Sequence, residues 1–426
     1  MHKIGVVKAT SLVAGNMIGS GVLLAPALLA PYGSLSIIGW IITTLGALAL
    51  ALVFAKLSSW IPRSGGPYTY AKHVFGDFVG FQMAWGYWIS AWCGSVSLLA
   101  GTLQYMSIFC PDLVANPAFS IGFGCLMIWL FTWFNTRGIK EATFIEVIIV
   151  AIKIVPLVLI ALVGIYFVDF GTVFCAEDLK KCDITSIGPM FNVLLWSFIG
   201  LESATIPSDQ VDNPKKTIPT ATIAGVLITA AVYILGAIVI TGLIPHAELL
   251  ASKAPYVDAG MKVFGNGGAL FMIVTGIIGI VGSLNGWILL QGQVPYAAAQ
   301  EKLFPKYFLK LNKHGAPSGV VVGSVLMTLL FVLTYQPSLI KHIELLINVA
   351  VLAMLLPYFY SAIAFCYLAI TKKQELSRTE KVFLPIVGII SVIYTFAAIF
   401  GSGIELMSIC FLMFLLSVPF YCLVKK

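Results

Sequence analysis

A carboxylate in an otherwise apolar run is the first residue here able to do chemistry: Glu202, in LLWSFIGLESATIP (194–207). Placing a Glu in a membrane costs about 2.5–3.5 kcal/mol on insertion scales, so it turns toward protein or water. Two readings are open, a proton-sensitive group or part of a cation path, and a buried carboxylate tied to backbone at a helix break. A second candidate is GNMIGSG (15–21), where three glycines and an Asn are poor material for a continuous helix. An interrupted helix leaves free N–H groups on one half and free carbonyls on the other. The N–H end attracts a carboxylate and the carbonyl end an ammonium, so a zwitterionic amino acid satisfies both. The competing reading is that the glycines only permit close helix packing.

Other positions carry weaker signals. GIIGIVGSLNGW (276–287) puts glycines near one helical face and ends on Trp287, whose ring could cover a cation or face lipid. In YWISAWCGS (87–95), Tyr87, Ala91 and Ser95 share a face that lines a cavity or buries a helix contact. Glu146 and Lys153 lie seven apart on one side of another run; at that separation they cannot be assumed to touch, and Lys153 could snorkel to the interface.

The elements that must hold these residues are membrane helices. The chain has 426 residues, 59% hydrophobic and 10% charged. That is too few charges to cover a soluble surface, where about 25% is usual. Leu35–Phe54 carries no charge and would rise roughly 30 Å as a helix, the thickness of the hydrocarbon layer. The runs are continuously apolar, which argues against a β-barrel. Twelve spans are expected near 9–30, 36–60, 79–109, 119–135, 143–167, 189–207, 221–242, 268–298, 317–335, 343–369, 382–401 and 405–423. The long third and eighth are read as tilted. With the N-terminus inside, nineteen Lys and Arg fall on the cytoplasmic face and five outside, which places both termini in the cytoplasm. The net charge of +7 is thus a matter of topology and anionic headgroups, with no nucleic-acid role. Cys175 and Cys182 share one loop and could pair if it faces an oxidising compartment.

The interruptions fall in spans one and six. Matching breaks in two halves point to an inverted-repeat transporter with a site near the midplane. The whole chain then reads as one membrane transport domain, with repeats at about 9–167 and 189–369 and additional helices at about 382–423. No P-loop, voltage-sensing arginine row, carbonyl-filter sequence or HExxH motif is present, which argues against an ATP-driven pump, a channel or a protease.

GNMIGSGVLLAP, SGGPYTYAKHVFG, LLWSFIGLESA and VDNPKKTIPTATIAG together resemble the amino acid–polyamine–organocation transporters, with GSLNGW and NVAVLAMLLPY adding to the match. The resemblance covers nearly the full chain and is nearest to the basic amino acid/polyamine antiporter branch. It implies an all-α fold of about twelve spans with a 5+5 inverted-repeat core, discontinuous helices 1 and 6 and two C-terminal helices. It further implies alternating access without ATP, enzymatic chemistry, cofactor or metal, and an assembly that in this branch is often a homodimer. Residue by residue, it implies that Ser20 and Gly21 meet a substrate carboxylate. Carbonyls around Met17, Trp196 and Ile199 would meet the ammonium. Trp287 would stack on the distal head group, and Trp196 would close the outer side. Tyr87, Glu202 and Tyr358 match an inner gate, with Glu202 contributing the pH response. Ser90, Ala91 and Ser95 match the substrate-facing patch of span three, and Asn348 a site position in span ten. The arginine exchangers carry Asn, Cys and Ser at the positions of Ser95, Ala91 and Asn348, and NVAVLAMLLPY looks more like the putrescine/ornithine members. The expected activity is exchange of cationic amino acids or polyamines; proton-coupled uptake is the alternative within the class.

Overall fold

A computed structural model describes residues 3–174, 187–334, 339–372, 374 and 376–425. Cys175 and Cys182 lie outside the described residues. The first apolar run forms two helices, α1 (Val6–Met17) and α2 (Ser20–Leu29), with Ile18 and Gly19 non-helical between them. There follow α3 (Leu35–Trp60), α4 (Pro67–Met106), α5 (Pro117–Thr136) and α6 (Ile139–Gly164). After them come α7 (Ile187–Trp196), α8 (Pro214–Leu243), α9 (Pro255–Gln300) and α10 (Gly319–Thr334). The chain ends in α11 (Leu339–Thr371), α12 (Arg378–Gly401) and α13 (Ile404–Lys425). Among the described residues, nine helical segments are long and apolar enough to cross a membrane. Large apolar side chains stay exposed along the outer helices, including Trp129 and Trp133 on α5, Phe396 on α12 and Phe411 and Leu416 on α13. In water such a surface would drive association; against hydrocarbon it is the matching surface.

Two expectations change. The third and eighth runs owe their length to more than tilt. Each begins with a proline-led helical segment that turns at a glycine of positive φ, Gly76 (φ 84°) in α4 and Gly265 (φ 66°) in α9. The sixth run is helical only to Trp196. Past it the chain runs through turns to two short 3-10 segments, Ser203–Thr205 and Ser208–Gln210, and no second α-helix forms before Pro214. The small residues of GLESATIPSD supply the reason: Ser203, Thr205 and Ser208 hydroxyls bond the carbonyls of Gly200, Glu202 and Thr205, competing with a continuous helical ladder.

The interrupted elements sit at the centre. α1 packs on α6 and α8, α6 on α9, and α4 on both α9 and α11. The N-terminal strand-like segment is fastened to the chain after α7: Ile4 N–H donates to Gln210 O (2.9 Å), and Asp212 N–H donates to Ile4 O (2.9 Å). Gly200 has φ 106°, and a Cβ there would stand 2.8 Å from Asn16 Cβ. Both the backbone conformation and the close approach to α1 require glycine. Gly200→Ala is therefore expected to lower stability by roughly 1–3 kcal/mol, read as a drop in the thermal midpoint of the purified protein; an unchanged midpoint would count against this contact.

Candidate functional site

The break in α1 places its backbone groups among side chains from four other elements. α2 starts at Ser20 with no side-chain cap on its first turn, so its N–H groups face the gap. On the carbonyl side, Met17 O accepts from Tyr233 Oη (2.7 Å), and the same hydroxyl lies 2.9 Å from Ser197 O. One proton serves both acceptors, so Tyr233 on α8 joins the two interruptions at a shared point. Gly15 O accepts from Lys153 Nζ (2.8 Å). The expectation of carbonyls around Met17, Trp196 and Ile199 thus needs refinement. Met17 O keeps one lone pair for another donor, and Trp196 O takes Ile199 N–H (3.3 Å).

A cavity of about 20 Å³ lies at this gap, lined by Asn16, Met17, Gly19, Gly21, Ser90, Gly94, Leu98, Trp196, Ile199 and Trp287. That is room for one water, so a substrate must open it further. Its lining holds no charged side chain, and its polar side chains are Asn16, Ser90 and the two tryptophans. Trp196 owes its place to Gly21, while Gly94 leaves the ring only an ordinary contact. A Cβ on Gly21 would stand 2.9 Å from Trp196 Cδ1, and one on Gly94 would stand 3.5 Å from Trp196 Cη2. Ser90 Oγ donates to Ala350 O (2.7 Å), tying α4 to α11 beside the cavity.

Glu202 belongs to a separate layer formed by the turn after α7, α4 and α11. It is fully buried. Tyr87 Oη donates to its Oε1 (2.6 Å), and Tyr358 Oη donates to its Oε2. Gly200 N–H donates to Tyr358 Oη (3.1 Å), so the tyrosine holds both the carboxylate and the turn that carries it. Asn16 of α1 reaches the same turn, its Nδ2 donating to Ser203 Oγ (2.8 Å). α1, α4, α11 and the turn after α7 are thereby joined through one carboxylate and one amide.

Of the residues singled out from sequence, Met17, Gly21, Ser90, Trp196, Ile199 and Trp287 meet at the cavity, and Tyr87, Glu202 and Tyr358 meet in the adjoining layer. Ser20, Ala91, Ser95 and Asn348 do not line the cavity. Ser20 lies against Gly101 on α4, Ala91 and Ser95 are buried, and Asn348 is partly buried two residues from Ala350 on α11. Gly94 and Leu98, one turn apart, line the gap from α4 instead. Tyr233 was missed, because an aromatic within an apolar run carries no local sign of what its hydroxyl reaches. Lys153 does not snorkel: it is buried and bonded to α1 and to Ser283 Oγ on α9 (2.8 Å).

Residues 4–421 match the family model described as amino acid permease. The chain is 32% identical to the cadaverine/lysine antiporter of Escherichia coli (strain K12), over 98% of this chain and 94% of that one. It is 31% identical to the putrescine transporter of Haemophilus influenzae, over 95% and 93% of the two chains. It is 32% identical to a putative arginine/ornithine antiporter of Bacillus subtilis, over 83% and 82%. Among solved structures, MhsT in complex with L-phenylalanine superposes with a TM-score of 0.67 at 12% identity, covering 95% of this chain and all of that one, a likeness of fold. An interrupted first helix, a cavity beside it and full-length matches of this kind place the chain in the amino acid permease family of the amino acid–polyamine–organocation superfamily, within its basic amino acid/polyamine antiporter branch.

Proposed function

We propose that the chain is an antiporter that exchanges a cationic amino acid for a second cationic amino acid or a polyamine across the cytoplasmic membrane. The single observation that carries this is the gap between α1 and α2, whose uncapped N–H groups and partly engaged carbonyls complement an α-amino acid, in a chain related end to end to antiporters. The substrate carboxylate meets the N–H groups of Ser20 and Gly21, and its ammonium meets carbonyls of Met17 and the turn after α7. Trp287 covers the distal cation by its ring face. Trp196 closes the cavity on one side, and the Tyr87–Glu202–Tyr358 layer closes it on the other. Ser90, by holding Ala350 O, keeps α4 and α11 in register beside the ligand. The side chains of Ser20, Ala91, Ser95 and Asn348 reach the ligand only when the cavity widens.

The fold reading completes this. Twelve spans arise if α1 with α2 and α7 with its following turns each count as one crossing. The paired proline-led segments ending at Gly76 and Gly265 support an inverted repeat in which the third and eighth spans correspond. Ion pairs gather at the end assigned to the cytoplasm, Lys72–Glu301 (2.5 Å), Lys425–Asp77 (2.5 Å) and Lys56–Glu380 (2.5 Å), in keeping with both termini inside. The thinly packed outer helix α13, with its apolar face, suits a homodimer contact or lipid. The whole chain acts as one transport domain.

In exchange, the empty carrier reorients slowly and the loaded one readily, because ligand dipoles replace those the gap otherwise leaves unsatisfied. Purified protein in vesicles preloaded with lysine, ornithine, cadaverine or putrescine is expected to accumulate radiolabelled lysine or ornithine faster than empty vesicles. Equal uptake by empty vesicles ends the exchange reading, and accumulation driven by an imposed pH gradient alone would favour proton-coupled uptake. Glu202→Gln keeps the two tyrosine partners but removes the titrating group. Its exchange is expected to lose the wild-type dependence on pH, and an unaltered pH profile would remove Glu202 from the gate's pH response. Trp287→Leu is expected to raise the apparent KM about tenfold by losing the ring–cation contact, with no change if the ring faces only lipid.

A further inference from the structure

Glu146 is a second fully buried carboxylate, and the exchange mechanism above makes no use of it. It lies on α6, between α1 and α9. Asn285 Nδ2 of α9 donates to its Oε2 (2.7 Å). Its Oε1 is buried and has no hydrogen-bond partner. That oxygen is pressed against Gly15 of α1, where any Cβ would overlap it. Two turns along the same face, Lys153 sends its ammonium to the same residue, donating to Gly15 O (2.8 Å) and to Ser283 Oγ (2.8 Å). Among the described residues no ion pair forms between the two opposite charges; each is engaged with α1 instead, the carboxylate oxygen against Gly15 and the ammonium on Gly15 O. From α5, Asn135 Nδ2 bonds Asn285 Oδ1 (3.2 Å) and fixes that amide's orientation. Among the described residues, Lys153 is the charged side chain beside Glu146, and α1, α5 and α9 add the neutral groups Gly15, Asn135, Ser283 and Asn285.

Such an arrangement is costly if it is only structural. A buried carboxylate oxygen without a donor loses its hydration with nothing in return, and a charged pair held apart forgoes its attraction. Both costs vanish if the segment that engages them leaves. Lys153 has a third donor free, and its stem leans toward the N-terminal end of α6, where Glu146 lies.

We propose that Glu146 is a positioning residue for the transport cycle, which receives the Lys153 ammonium when α1 swings away and withdraws the Gly15 carbonyl. The ion pair formed in that state replaces the hydrogen bond lost from α1. The two conformations then stay close in energy, and the ammonium is never left bare. Gly15 is the latch: its lack of a side chain makes room for the Glu146 carboxylate, and its carbonyl holds the Lys153 ammonium. This rests on the reading that α1 moves during exchange.

The test uses full-length protein, with counterflow, substrate affinity and thermal midpoint measured on Glu146→Gln, Lys153→Met and the double variant. Glu146→Gln preserves the bond to Asn285 and the shape of the site. It is expected to bind substrate and melt as the wild type does, while its exchange rate falls about tenfold because Lys153 has no counter-charge in the swung state. Lys153→Met strands the carboxylate and slows exchange as well, and removing both charges is expected to recover rate relative to Lys153→Met alone. A purely structural pair would move the melting point and leave the rate of the folded fraction unchanged. Wild-type exchange in Glu146→Gln, or a double variant no faster than Lys153→Met, overturns the proposal. Should Glu146→Gln fail to fold, Glu146→Asp keeps the charge but shortens its reach, and a wild-type rate there overturns it equally. Absence of counterflow in the wild type counts against the exchange reading; a normal rate in the Glu146 variants counts against the hand-over alone.

Discussion

The two non-helical residues between Met17 and Ser20 set the terms for everything around them. Within a bilayer no water reaches bare backbone, so an interrupted helix persists only if protein or ligand satisfies its ends. The structure divides that work. Lys153 takes the Gly15 carbonyl, Tyr233 takes that of Met17, and Asn16 turns to Ser203, whereas the first turn of α2 has no side-chain cap. The unsatisfied part is the part that faces the cavity. An anion-seeking helix start beside carbonyls already partly occupied is a selective device: it favours a ligand that brings both a carboxylate and a donor.

The same economy explains why the Glu202 layer and the cavity are separate. Glu202 is held by two phenols and never enters the cavity lining. A free carboxylate in so small a space would bind any cation tightly and slow its release. With its oxygens engaged by Tyr87 on α4 and Tyr358 on α11, its charge is spread over hydrogen bonds that tie three elements together. If these elements part in the exchange proposed above, a few defined bonds break rather than a packed core, the kind of two-state element that a ligand can bias.

Glycine does a different job at each of the central contacts. At Gly200 it permits a left-handed backbone pressed on α1, at Gly21 it makes room for the Trp196 ring, and at Gly15 it makes room for a carboxylate beside a carbonyl that holds an ammonium. Each contact joins elements far apart in the chain. Their sum is a bundle in which the moving parts touch through small residues and defined polar bonds, while the outer helices present ordinary apolar surface to lipid.

Much of this was legible in the sequence. Uncharged runs of membrane length dictate helices, because only a helix satisfies its own backbone in hydrocarbon, and GNMIGSG and the glycine–carboxylate–proline run at 194–207 mark where two of them fail. Glu202 and Trp287 stood out because polar or aromatic groups beside small residues in such runs need a reason; Trp196 came from the family resemblance alone. What only the tertiary structure decided is which partner each group meets. Sequence placed Glu146 and Lys153 on one face but not Gly15 against them, and it placed Tyr233 in a run indistinguishable from lipid-facing helix. It also let Ser95 and Asn348 pass as cavity residues, when Gly94 and Leu98 lie closer to the gap. Periodicity fixes the face of a helix, but the rotation of that face toward one neighbour or another is set by packing between segments a hundred residues apart, and no local pattern records it.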